Sequence, residues 1–137
     1  MNRVLQRISG PLRRAWRVRG FGVHSPFAYA YLRTVIRPAK GVRYYAEDDL
    51  SSRRERLLYR ISVEAGDGAM MILDESGTVP HKNTGVRTYV ALTPHSARIL
   101  DRWAAGAACG VLFRSPRMAV FCPRKGIPAQ RFEVAMP

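Results

Sequence analysis

The chain of 137 residues is poor in the residue types that most chemistry needs: it has two cysteines, three histidines, ten acids and no apolar run approaching a membrane span. Each scarcity removes a class of function. Cys109 and Cys122 are too few for a disulfide framework and lack the paired spacing of a zinc site, so both are expected to act as small buried hydrophobes in a reducing compartment. His24, His81 and His95 stand far apart, without the i, i+4 pairing of a helical metal site, and surface or capping roles are expected for them. A bilayer-spanning helix needs about 20 apolar residues, and the first residues lack the uninterrupted apolar segment of a secretory signal. These features predict a soluble, cytoplasmic protein with no transmembrane segment. Neither Gly-x-Gly-x-x-Gly nor a Walker-type lysine motif is present, and Gly66-Asp67-Gly68 stands before an expected strand, not after one. The simplest nucleotide-binding designs are thereby excluded.

Basic residues are plentiful and unevenly placed. Of a formal charge of +13, ten Lys and Arg precede the first acid, Glu47, and the remainder carries +3; Arg supplies 20 of the 23 basic residues. Arginine suits bidentate contact with phosphate or carboxylate, although a genome rich in G and C produces the same bias. Leu5, Ile8, Leu12 and Trp16 recur at helical spacing, with Arg3, Arg7, Arg13, Arg14 and Arg17 mostly elsewhere, and Gly10-Pro11 interrupts the pattern. The apolar face of this basic arm is expected to cover the protein's own core, with a membrane surface or a partner as the alternatives. Arg13, Arg14, Arg17 and Arg19 are the candidates for anion or nucleic-acid contact, which a basic arm makes non-specifically through counterion release.

Length and a hydrophobic content of 47% fit one compact domain over 1–137, with a helical part at 1–62 and a mixed sheet with one helix at 66–137. Ser25-Pro26 reads as an N-cap and first-turn proline opening a helix through Phe27, Tyr31, Leu32, Val35 and Ile36, ended by Pro38 and Gly41. After the acidic cluster Glu47, Asp48 and Asp49, which favours the dipole of the helix that follows, Ser51 opens that helix, with Leu50, Leu57, Leu58 and Ile61 as its buried face. Strands are expected at 69–73 and 87–92. Thr93-Pro94 then announces a helix from His95 to about Ala105, with Ile99, Leu100 and Trp103 buried. Three more strands are expected at 110–113, 118–122 and 132–135, the first two joined by a tight antiparallel turn at Ser115-Pro116-Arg117.

Candidate chemistry is sparse. Ser25 beside His24 has the residue types of a nucleophile and base, but the Ser-Pro context explains the serine as a cap. Asp74, at a strand end, stands where α/β enzymes hold ligands, or else simply terminates the strand in the turn Asp-Glu-Ser-Gly. Three consecutive carboxylates at 47–49 rarely converge on one metal ion, so no metal is expected. Trp16, Phe21, Phe27, Tyr44 and Tyr45, interleaved with arginine, suit base stacking, and equally suit a helical core.

The segment Gly20-Phe-Gly-Val-His-Ser-Pro-Phe27, followed by an amphipathic helix and Tyr44-Tyr45-Ala46-Glu47, resembles the N-terminal part of a group of class I S-adenosylmethionine-dependent methyltransferase-like proteins found mainly in Bacteroidetes. The resemblance continues to Ile61 and returns at 89–92, in the helix with Trp103, and in Arg117-Met-Ala-Val-Phe-Cys-Pro-Arg-Lys-Gly126 followed by Phe132. There it implies a last sheet strand, a helix and terminal antiparallel strands. The family's glycine-rich turn, ribose-binding acid and most of its central sheet have only about 25 residues to occupy here, and a strand-helix-strand unit takes about 30. The resemblance thus implies an α/β or α+β fold, a helical cap on a small mixed sheet, as a contracted Rossmann-like remnant. Matching family motif positions are His24, Ser25, Pro26, Phe27, Tyr44 and Tyr45; His24, Ser25, Tyr45 and Asp74 are the candidates for contacting a cofactor. No catalytic residue and no cofactor are expected. The expected role is binding or assembly, as a homo-oligomer or with a protein partner. The alternatives are a small nucleic-acid-binding protein, and a methyltransferase using S-adenosylmethionine whose site a partner chain completes.

Overall fold

A computed structural model describes residues 25–42, 44, 47–73 and 85–137. His24, Tyr45, Asp74, His81 and the arginine arm with Arg13, Arg14, Arg17 and Arg19 lie outside the described residues.

Helix α1, Pro26–Tyr31, begins as the Ser-Pro pair requires: Ser25 Oγ accepts from Ala28 N at 3.3 Å, and Pro26 sits where its missing amide proton costs nothing. It then widens into a π-helical turn, Leu32–Ile36, closed by the bond from Arg37 N to Leu32 O. Tyr31, Leu32, Val35 and Ile36 all stay buried through this change. Pro38 ends the turn by excluding helical dihedrals at Arg37, whose φ and ψ are −136° and 89°.

Helix α2, Arg53–Ala65, is capped by Ser52, whose Oγ accepts from Glu55 N at 3.0 Å; Ser51 instead donates to the Glu55 carboxylate. The start therefore lies one residue later than the sequence pattern suggests, and Leu50 falls outside the helix. Leu57, Ile61 and Ala65 form its buried face at four-residue intervals, with Leu58 half-buried beside them. Gly66, at φ 97°, ends α2, and a short turn feeds strand β1, Met70–Ile72.

Five strands make one mixed sheet in the order β1-β2-β4-β3-β5, so the protein is of the α/β class. β2 is Thr88–Ala91, followed by α3, Pro94–Ala105, then β3, Val111–Arg114, β4, Ala119–Cys122, and β5, Gln130–Glu133. β1 runs parallel to β2. β4 lies antiparallel between β2 and β3, pairing Phe121 with both Tyr89 and Leu112. The turn at Ser115-Pro116-Arg117 forms as expected, with Ser115 N donating to Met118 O at 2.9 Å. Four strands thus share one direction and β4 alone opposes them.

The last strand differs from the sequence expectation. β5 starts at Gln130, two residues early, and pairs in parallel with β3, Phe132 opposite Phe113. The β3–β4 hairpin returns the chain to the amino end of β3, and from there the free side of β3 can be followed only in its own direction. Gly110 anchors the register, donating to Ile127 O at 2.9 Å and accepting from Gln130 N at 3.0 Å. Its φ of 112° and the 2.7 Å that would separate an added Cβ from Cys122 O restrict this position to glycine.

Alternation along the strands divides the core into two layers. Val90, Val111, Phe113, Val120 and Cys122 meet α1 and α2, where Tyr31 stacks on Phe113 at 5.1 Å. Tyr89, Ala91, Leu112, Ala119 and Phe121 meet α3, whose Ala97, Leu100 and Ala104 let it approach closely. Trp103, expected in the core, is 38% exposed: it stands edge-on to Tyr89 and Phe121, covering them with one side while solvent meets the other. Ile99 is likewise only half-buried. Cys122 is wholly buried, and burial pushes its thiol up to about 12; Cys109 is only half-buried, and both are free.

Asp101 ties α3 to the sheet, accepting from Arg131 Nε and Nη2 at 3.1 Å and from Arg114 Nε at 3.3 Å. Burial pushes its carboxyl up, but the bonds and charges of Arg131 and Arg114 outweigh that and hold it below the usual range. A depressed folded value means that the contribution is complete above about pH 4 and disappears as the pH falls through the folded value. Asp101→Asn should therefore lower Tm modestly at pH 7 and flatten its decline below pH 4, measured by thermal melts between pH 2 and 7; an unchanged acid limb would refute the assignment.

Candidate functional site

Because α2 runs into β1 through a tight turn, its first residues lie beside the opposite, carboxyl end of the parallel strands. Arg54 marks this directly, its Nη2 donating at 2.5 Å to Leu92 O, just past the end of β2. The chain leaving β5 emerges at the same edge, and between them opens a cleft of about 490 Å³. Arg53, Arg56 and Arg60 of α2 line it together with Ile36, Arg37, Pro38, Glu47 and residues 135–137. In open α/β sheets this edge is where ligands generally sit.

The arginines differ in what their donors do. Arg60 is 7% exposed, and its guanidinium donates from Nε to Val35 O at 2.6 Å, from Nη2 to Ile36 O at 3.2 Å and from Nη1 to Glu47 Oε1. These carbonyls belong to the end of the π-helical turn, where no further turn of helix supplies donors. The remaining ones are also met: Leu32 O by Arg37 N, Arg33 O by Ala39 N, and Thr34 O by the Tyr44 hydroxyl at 2.7 Å. Burial raises the Tyr44 hydroxyl above its ordinary value, with the nearby Arg60 charge opposing, so it remains a donor at neutral pH. Among the described residues Arg56 uses only Nε, donating to Leu50 O at 3.0 Å. Arg53 and Arg37 are exposed, and their side chains have no hydrogen-bond partner among the described residues.

Among the described side chains the lining has four guanidiniums and one carboxylate, the latter engaged by Arg60, and so attracts anions; arginine stays protonated across the physiological range. It does not suit S-adenosylmethionine, whose sulfonium gives the donor a net positive charge that the surplus arginines repel. The acidic cluster resolves into separate roles, since Glu47–Asp49 forms a 3-10 turn, Glu47 faces Arg60 and Asp49 is exposed. No cluster of three metal-ligating side chains occurs among the described residues.

Of the residues singled out in the sequence, Ser25 caps α1, Tyr44 closes the π turn, Phe27 packs against the core, and His95 is exposed in the first turn of α3. None of them lines the cleft. Attention to the N-terminal arm passes over the arginines that do, although Arg53, Arg56 and Arg60 stand at i, i+3 and i+7, the signature of a single helical face. Among the described residues no helix is long and apolar enough to cross a membrane. In comparisons with known proteins, the chain matches no family model, no curated protein and no solved structure.

Replacing Arg60 should separate structure from charge. Arg60→Met leaves two buried carbonyls and Glu47 without their donor and should cost about 3 kcal/mol in urea unfolding, whereas the exposed Arg53→Gln should change stability by less than about 0.5 kcal/mol. Equal effects would contradict the different roles assigned to them.

Proposed function

We propose that the chain is a contracted methyltransferase-like domain that serves binding or assembly, not group transfer, with the arginine cleft at the carboxyl edge as its binding surface. The cleft carries the proposal: its surplus of arginine favours an anionic ligand, and the one side-chain carboxylate among its described lining is engaged by Arg60. The resemblance at the two ends of the chain is supported by the strand-helix-strand unit β2–α3–β3, into which the reversed strand β4 is inserted. It is a partial likeness, since β5 adds a parallel strand where the resemblance implies antiparallel ones. The electrostatic mismatch with a sulfonium donor favours binding over methyl transfer. Calorimetry of the full chain with S-adenosylmethionine is expected to show no binding at micromolar concentrations; micromolar affinity would overturn the proposal.

A further inference from the structure

We infer that the cleft is a phosphate site, in which Arg37, Arg53 and Arg56 hold a phosphate ester. The inference rests on the proposal that this cleft is the binding surface, and adds the ligand's chemistry and the residues that grip it.

The arginines along α2 divide into two kinds. Arg54 and Arg60 are committed inward, to Leu92 O, to Val35 O and Ile36 O, and to Glu47. Arg53 and Arg56 turn their remaining donors to the cleft they line, and Arg37 joins them from the end of the π turn. Fixing Arg56 by one bond from Nε to Leu50 O leaves both of its Nη groups uncommitted among the described residues. A guanidinium with its stem fixed and its outer edge open is the geometry that meets two phosphate oxygens at once. Arg53 and Arg56 lie three residues apart on one face of the helix, so they can address the same group. The 13-residue α2 presents its positive dipole end to the cleft, adding to a field that favours a doubly charged anion over a single carboxylate. A volume of about 490 Å³ lies within the range of small-molecule sites.

A phosphate ester reaches such a cleft from two sources, a small phosphorylated compound or the backbone of a nucleic acid. The arginines proposed to hold the phosphate, Arg37, Arg53 and Arg56, are all among the described residues, whereas Arg13, Arg14, Arg17 and Arg19 are not.

The test is calorimetric titration of the full chain with inorganic pyrophosphate and with a ten-nucleotide single-stranded RNA at moderate salt. Three proteins are compared: the wild type, Arg53→Gln/Arg56→Gln, and the control Arg98→Gln/Arg102→Gln, which removes the same charge from exposed positions on α3. Pyrophosphate should bind the wild type, at least tenfold more weakly the cleft variant, and within twofold of wild type the control. If the RNA shows the same tenfold loss and pyrophosphate competes with it, the natural phosphate is a nucleic-acid backbone; if only pyrophosphate is affected, it is a small ester. Absence of pyrophosphate binding, or equal weakening in both variants, would overturn the inference. Should the double variant fold poorly, Arg37→Gln carries the same expectation of a several-fold loss. Binding of S-adenosylmethionine by a protein that also binds pyrophosphate through these arginines would refute the broader proposal and leave this one standing.

Discussion

One guanidinium, that of Arg60, organises the carboxyl edge of the molecule. The turn at Leu32–Ile36 ends inside the protein, where exposed carbonyls would otherwise lack water, and Arg60 reaches two of them from a helix about 25 residues further along the chain. The same group engages Glu47, so three segments distant in sequence converge on one side chain. A buried ion pair is seldom worth much by itself, because desolvation offsets attraction; the value of Arg60 lies in satisfying backbone oxygens that no other donor among the described residues reaches. With Arg60 drawn inward, the outer arginines of α2 line a pocket whose one side-chain carboxylate, among the described residues, is the Glu47 that Arg60 engages.

At the opposite edge, Arg124 plays a comparable part. It donates to both oxygens of Glu64 and to Arg87 O, and its guanidinium lies 5.5 Å from the Phe27 ring centroid, so α1, α2 and the ends of β2 and β4 are joined there. Between these two ties the sheet is packed on both faces. Its outer strand β5, which pairs only with β3 among the described residues, carries the charged Arg131 and Glu133 on either side of Phe132, and charges on an edge strand discourage pairing with another sheet.

Local chemistry made much of this fold legible. The capping of α1 by Ser25 and of α3 by Thr93, the turn at 115–117 and the short apolar runs of β2 and β4 depend on residues within a few positions of one another, and each forms as its pattern implies. Features set by distant partners were not legible in this way. Hydrophobicity placed Trp103 in the core, but the width of α3's contact with the sheet decides how much of a large ring is covered. Phe132–Ala135 looked like the final strand because it is the more apolar stretch, yet the bonds of Gly110 set the register two residues earlier. Arginine is ordinarily a surface residue, so the burial of Arg60 follows only from carbonyls brought to it by the tertiary fold. The face formed by Arg53, Arg56 and Arg60 was readable as a spacing; which of the three is structural and which are left facing the cleft was not.

Arg60 and Glu47 thus act as one unit in closing the π turn and shaping the cleft. A double-mutant cycle with Arg60→Met and Glu47→Gln, read by chemical denaturation, tests it most directly. A coupling of about 2 kcal/mol is expected; a coupling below about 0.5 kcal/mol, with the two changes simply additive, would show that the two side chains act independently.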